Sequence, residues 1–393
     1  MIRINKIILI KSFICGIIAL AILPCRSFCV YGAGVPDTGN ETAARKEDDG
    51  FTVIMVGDIL LHDGIEKCAR REDGTYDFSE VFRYTKDVIE AADLAIVNEE
   101  VIIGGKELRV SGYPSFNAPY EIADELAETG FDVVCHATNH ALDRGKKGIE
   151  NCLSYWGENH PGVITVGIYT SKEDSEDVRI YEKDGYRIAV LNYTYGTNGI
   201  ALPKGMPYAV GLLDETKVKK DLERAEGLAD FTIVCPHWGT EYNLGTSQMQ
   251  KKWAKVFANY GADLIIGTHP HVIEPVEEIE TDDGRIVPVY YSLGNFINWT
   301  SGEGKGVANR MVGAMADVTL EKNTDGEVTV KDYGVRPLVA HVRSETDGST
   351  VYFLEDYTQA KAYLNEIRKR DGDFSYKYCE ELCQSIFDEE LIN

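Results

Sequence analysis

From Phe51 onward, short apolar β-rich runs alternate with stretches of helical periodicity, and that alternation predicts an α/β domain. The apolar runs cover residues 51–56, 94–97, 131–135, 231–235 and 263–266. Helical patterns lie between them, at 121–129, 216–229 and 248–260. Three hairpins interrupt the alternation. They cover 178–191, turning at Lys183-Asp184-Gly185, and 276–291, turning at Asp282-Asp283-Gly284. The third joins 313–320 to 328–335 through Asn323-Thr324-Asp325-Gly326. The segment 357–391 reads as two amphipathic helices packed on the domain. No repeat of fixed period interrupts this plan.

The chain before Phe51 has a different pattern. Arg3 and Lys6 precede a mostly apolar run over 7–24, broken only by Lys11 and Ser12. The stretch 13–24 resembles a signal-peptide core and falls short of the roughly 20 residues that a membrane span needs. For residues 1–33 two readings stand open: cleavage near Gly32 or Ala33, or retention as an N-terminal anchor. Either way the mature chain is expected outside the cytoplasm, secreted or membrane-anchored. Pro24 in front of Cys25 argues against lipid attachment there. Residues 34–50, polar with Pro36, Gly39 and Glu47-Asp48-Asp49, read as a flexible linker. This leaves 51–342 as the main domain and 343–393 as a C-terminal helical extension.

Charge narrows the list of partners. With 40 Lys and Arg against 64 Asp and Glu, the formal charge is −24 over 393 residues. Nucleic acid is excluded as the main partner, because that affinity rests on basic side chains releasing counterions. Of the nine cysteines, Cys15, Cys25 and Cys29 fall in the leader, and Cys135 and Cys235 lie inside apolar runs. Cys379 and Cys383 sit at helical spacing, where disulfide geometry is awkward. No disulfide scaffold is expected.

The residues just past each apolar run carry the chemistry. Gly57-Asp58 comes after the first, Asn98-Glu99-Glu100 after the second, and His136-Ala137-Thr138-Asn139-His140 after the third. Pro236-His237 comes after the fourth, and Gly267-Thr268-His269-Pro270-His271 after the fifth. In open α/β sheets ligands bind beyond the carboxyl ends of the strands, so these side chains are expected in one crevice. Carboxylates, an amide and imidazoles together suit Mn, Fe or Zn. Taken singly, each has a plain structural reading: Asp58 as a turn or N-cap residue, Asn139 as a turn residue, His237 as a packed histidine. His269 and His271 are expected to point the same way as alternate residues leaving a strand. His136 is read as packed or as a support behind the ligands, and His160 and His341 as surface or structural. His62 lies close enough in sequence to reach the crevice as a ligand, and Trp238 and Glu241, flanking His237, either orient it, floor the pocket or simply pack. With Asn98 they are the candidate substrate contacts.

Together these residues resemble a family. Gly57-Asp58, Asn98-Glu99-Glu100, Phe116-Asn117-Ala118-Pro119, Ala137 through Gly145, His237 through Glu241, Gly267 through His271 and Tyr291 through Phe296 occur in the order seen in CapA-like poly-γ-glutamate capsule biosynthesis proteins. The resemblance covers residues 51 to about 342. That family is similar to calcineurin-like metallophosphoesterases, which implies a sandwich of two mixed β-sheets flanked by helices. It implies two divalent metal ions, with Asp58 and His271 on the first and Glu100 shared. Asn139, His237 and His269 would hold the second. His140 takes the position that protonates a leaving group, and Asp143 could orient it, although an N-cap for the helix near Gly145 is the more economical role. Two departures from the phosphoesterase pattern stand out. Asp58 is followed by Ile59 and Leu60, with no histidine before His62, and Asn98-Glu99-Glu100 replaces the second Gly-Asp.

Function then divides three ways. One reading is a metal-dependent hydrolase with two cations about 3.5–4 Å apart, acting on poly-γ-glutamate or another acidic envelope polymer. A second is a non-catalytic component that binds or exports such a polymer through its metals, beside membrane-bound capsule synthesis proteins. A third is a secreted phosphodiesterase or nucleotidase. An amidohydrolase barrel is disfavoured, since its His-x-His ends the first strand and His269-Pro270-His271 comes late.

Overall fold

The computed structural model describes residues 50–344 and 348–393. The expected leader and the linker as far as residue 49 lie outside the described residues. Along the chain, four strands come first: β1 (Phe51–Ile59), β2 (Leu94–Glu99), β3 (Val133–Cys135) and β4 (Ile164–Val166). They pair in parallel, in that order. The chain then lays down a whole second sheet. Its strands are β5 (Ile180–Lys183), β6 (Tyr186–Thr194), β7 (Phe231–His237), β8 (Leu264–Ile266), β9 (Ile273–Glu280) and β10 (Ile286–Leu293). Finally it returns to the first sheet with β11 (Asn295–Ile297), β12 (Val312–Lys322), β13 (Val328–Ser344) and β14 (Gly348–Phe353).

The first sheet has the order β14-β13-β12-β1-β2-β3-β4, with β11 beside β1, and the second has β5-β6-β7-β8-β10-β9. Each mixes parallel and antiparallel neighbours: β1 pairs with β2 in parallel and with β12 antiparallel. This is the expected sandwich of two mixed sheets. The reason lies in the alternation along each run. Val53 and Met55 of β1 face the layer between the sheets with Ile233, Cys235, Leu264 and Ile266. Ile54 and Val56 face outward, onto residues of the helices Glu121–Thr129 and Gly145–Asn159. The second sheet carries the helices Glu215–Glu226 and Gln248–Asn259 on its outer face. Strands buried on both faces read as continuous apolar runs, which is why the sequence exposed them. The helix at Gln248 begins where the pattern placed it because Ser247 and Gln250 close a capping box.

Two expectations need correcting. The boundary at 342/343 falls inside β13, whose partner β14 extends the same sheet to Phe353. The helical part of the C-terminus is therefore shorter, with helices at Gln359–Leu364 and Tyr376–Ile386. The strands β1, β2 and β7 also run past their apolar stretches, so Asp58, Asn98 and His237 belong to the strands rather than lying just past them. The six described cysteines outside the leader are all free. No helix among the described residues is long and apolar enough to cross a membrane.

Candidate metal centre

Both sheets deliver side chains to one edge of the sandwich. Asp58 reaches it because β1 passes unusually close to the residue before β11. A Cβ on Gly57 would sit 1.9 Å from the Gly294 carbonyl oxygen. Instead the Asp58 amide donates to that oxygen at 3.0 Å, and Asp58 lies in register with Asn295. In the second sheet, the Thr268 amide donates to the Pro236 carbonyl and the Trp238 amide to the Thr268 carbonyl, both at 3.0 Å. This ties the segment after β8 to the end of β7. β8 stops at Ile266, so His269 and His271 are not strand residues. They are aimed by left-handed backbone at both positions, φ 99° and 59°. Such conformations are uncommon for a side-chain-bearing residue and collect at functional sites.

The side chains interlock. Asp58 Oδ1 accepts from Asn98 Nδ2 at 2.8 Å, and Oδ2 accepts from the His269 amide at 3.2 Å and lies 3.3 Å from His271 Nδ1. Asn139 Oδ1 lies 2.8 Å from His237 Nε2. Glu100 Oε1 sits between the two groups, 3.7 Å from His237 Nε2 and 3.6 Å from His271 Nε2. Glu100, His269 and His271 each bring a ligand atom within 4.8 Å of the others. Asp58 and His271 thus lie together, Asn139 and His237 lie together, and Glu100 lies between them. His269 lies within reach of both groups, its ring 4.7 Å from that of His237 and 5.7 Å from that of His271.

A divalent cation fits what these residues lack. Both oxygens of Glu100, Asn98 Oδ1 and His269 Nδ1 are buried without a hydrogen-bond partner. Buried polar atoms left unpaired cost about 1–3 kcal/mol each, so four in one cluster call for a ligand that accepts their lone pairs. Burial pulls the imidazoles of His237 and His269 well down, and neighbouring imidazoles add to it. They are therefore neutral, the state that binds metal. Burial pushes the Glu100 carboxyl well up, against the pull of His271. Burial also pulls His271 down, but Glu100 and Asp58 outweigh it and push it up to about 9. The cluster is short of positive charge.

Beside it stands a second device. His140 Nδ1 lies 2.7 Å from Asp143 Oδ2, which also accepts from the Phe116 amide at 2.7 Å. The His140 ring meets Phe116 edge-on at 4.6 Å. The N-cap role expected for Asp143 is not what the structure shows: the helix Gly145–Asn159 is capped at Arg144, with no side-chain bond. Asp143 orients His140 instead. A cavity of about 310 Å³ opens next to the centre, lined by His62, Glu241, Tyr242, His271 and Arg310 among others.

Of the four candidate substrate contacts, His62 and Glu241 line this cavity. The other two do not. Asn98 is fully buried and bonded to Asp58, which makes it part of the cradle. Trp238 is fully buried on the helix side of the second sheet, its indole donating to the Tyr291 carbonyl. Neighbouring strand residues point to opposite faces, so the residue after His237 turns away from the crevice. His136 is packed as expected, its Nε2 accepting from Trp156. His160 pairs with Asp124, and the buried His341 meets the Tyr357 hydroxyl.

Three residues were missed. Asn198 lies 3.3 Å from Asn139 and 3.5 Å from His140, and Asn295 Oδ1 lies 3.0 Å from His271 Nδ1. Arg310 lines the cavity. Asn198 comes after the end of β6, a strand-end signal like the other five. A larger cavity of about 600 Å³ lies near the opposite ends of the strands, around Phe231, Asp263 and Val328, with no such cluster.

The profile of the family described as bacterial capsule synthesis protein PGA_cap matches residues 52–300. The chain is 26% identical over 366 residues to the PGA biosynthesis protein CapA of Bacillus subtilis (strain 168), covering 92% of this chain and 88% of that one. It is 28% identical over 270 residues to the capsule biosynthesis protein CapA of Bacillus anthracis, covering 65% of this chain and 62% of the relative. Among solved structures, the sulfate thiohydrolase SoxB of Thermus thermophilus aligns at a TM-score of 0.41 and 16% identity, covering 66% of this chain and 42% of that one. The matched residues 52–300 take in every residue of the cradle, from Asp58 to His271, and the chain belongs to the PGA_cap family of bacterial capsule synthesis proteins.

Proposed function

We propose that this protein is a metal-dependent hydrolase that cleaves amide bonds of an acidic envelope polymer of the poly-γ-glutamate type. It would act outside the cytoplasm, next to membrane-bound capsule synthesis proteins. One observation carries the catalytic part: a buried cradle of imidazoles and unpaired carboxylate oxygens adjoins a histidine fixed by a carboxylate, His140 on Asp143.

Asp58, Glu100, Asn139, His237, His269 and His271 would hold two divalent cations, of Mn, Fe or Zn. When bound, these would supply Lewis acidity toward the scissile carbonyl and make water nucleophilic at neutral pH. The chain's own residues do the rest. Asp143 accepts a hydrogen bond from Nδ1–H and fixes the ring of His140, so the protonated imidazole hands its Nε2 proton to the departing amine nitrogen as the C–N bond breaks and is left neutral. Phe116 backs the ring, and its amide holds Asp143 in place. Asn198 touches both Asn139 and His140, so cradle and acid keep one spacing.

The test is an assay of metal-loaded protein on poly-γ-glutamate, following new amine groups, alongside a generic phosphodiester. The proposal expects turnover of the polymer. Cleavage of the phosphodiester alone sinks the amide assignment, and polymer binding without cleavage of either favours the non-catalytic alternative.

A further inference from the structure

We propose that Arg310 binds the free α-carboxylate of the γ-glutamyl unit beside the scissile amide. The proposal rests on the polymer class given above and assigns the residue that reads it.

Arg310 lies in the short 3₁₀ turn Val307–Met311 and is tied to the centre by one side chain. Asn295 Nδ2 donates to the Arg310 carbonyl at 2.9 Å, while Asn295 Oδ1 lies 3.0 Å from His271 Nδ1. The backbone of Arg310 therefore keeps a fixed distance from a candidate ligand. Its guanidinium lies 3.5 Å over the centroid of the Tyr242 ring, and Nη1 donates to Thr300 Oγ1 at 2.8 Å. The Nε atom is buried with no partner. Among the described residues no carboxylate pairs with this arginine. In a chain with a formal charge of −24, this half-buried guanidinium stands in a cavity wall without an ion-pair partner among the described residues.

Its geometry selects the ligand. One face is covered by Tyr242, so the free donors lie in the guanidinium plane, where a planar carboxylate is met edge to edge. The carboxylate already in the wall, Glu241, makes no ion pair with Arg310 among the described residues. A doubly charged phosphate would meet the Glu241 carboxylate in the same wall at close range. A γ-linked glutamyl chain carries one α-carboxylate per residue, next to each amide. Anchoring that group on Arg310 would set the neighbouring amide toward His271 and His140.

The experiment is calorimetric titration of metal-loaded protein with a γ-glutamyl trimer, the same trimer with its α-carboxylates amidated, and inorganic phosphate. Wild type is compared with Arg310→Ala and Arg310→Lys, with metal content and thermal unfolding checked for each. Losing a charge-assisted contact is expected to weaken trimer binding roughly ten- to a hundredfold in Arg310→Ala, with Arg310→Lys recovering only part. Amidation should weaken binding to wild type by a similar factor, which tests the contact without any variant. Trimer binding unchanged in Arg310→Ala overturns the assignment and leaves the hydrolase reading intact. Equal loss of trimer and phosphate binding marks a general anion site and overturns the carboxylate. A wild type that binds no trimer overturns both readings. A wild type that binds through Arg310 but cleaves nothing overturns the hydrolase and supports the anchor.

Discussion

His136 and His140 stand four residues apart in one loop, and both are buried, yet they belong to different kinds of place. His136 is closed off: Trp156 donates to its Nε2 at 3.1 Å, Cys152 lies 3.8 Å away, and burial holds its pKa down to about 3. His140, 8% exposed, faces Asp143 and Asn198 at the mouth of a centre whose carboxylate, Glu100, has neither oxygen satisfied. Burial and polarity do not separate the two. The difference is whether the hydrogen bonding is completed inside the protein. A completed network is structure, and an open one at a shared edge is a site.

The largest effect that would break this comparison is kinetic. His140→Ala should lower turnover by about 10²–10⁴-fold while metal content stays at wild type, since the residue is outside the cradle. An unchanged rate removes His140 from the mechanism, and lost metal moves it into the cradle. Next, Asn295→Ala takes away the nearer of the two partners of His271 Nδ1 and should weaken metal affinity about 10–100-fold, read by competition with a chelator. On the closed side, Trp156→Phe leaves His136 Nε2 without its donor. The cost should be about 1–3 kcal/mol in denaturant unfolding, with metal content unaltered. A variant that loses metal would show that the two histidines share one network after all.

The smallest effect is a pH slope. The folded pKa of His136 lies near 3, below the ordinary value of 6.5, so the unfolded chain binds the extra proton between these values. Its contribution to stability is present above about 6.5 and is lost as pH falls toward 3. In His136→Asn this part of the slope should vanish, so stability curves of variant and wild type converge on acidification. Parallel curves from pH 7 to 4 would falsify the assignment of a neutral, closed His136.

Much of this was legible in the sequence, for reasons particular to the residues. The runs of β1, β2 and β7 are apolar on both faces, so they show as unbroken stretches, and Asp58, Glu100, Asn139, His237, His269 and His271 come just after such stretches. All six lie in the one buried cluster. The features that stayed hidden depend on distant pairing or on the face a side chain takes. Asn295 and Arg310 approach His271 because β11 joins β1 in parallel, a contact no local pattern announces. Trp238 looked like a pocket floor from its place next to His237, and strand alternation sends it to the other face. The end of the main domain was set where the family resemblance stops, near residue 342, whereas β13 runs on to Ser344 and pairs with β14.

The order in which the strands are made has a cost during synthesis. β1 lies in the interior of the first sheet, with β2 on one side and β12 on the other. The first neighbour is made soon after it, but the second, Val312–Lys322, is made only after the whole second sheet. Until then the N–H and C=O groups of an apolar strand, Val53 to Val56, remain open to any other chain that can pair with them. Pairing across so long a separation is slow, which prolongs the exposure. The cradle inherits the same schedule. Asp58 is among the first of its residues to be made, and it reaches Asn295 and His271 only after β11 has joined the sheet, so the chemistry is among the last things this chain acquires.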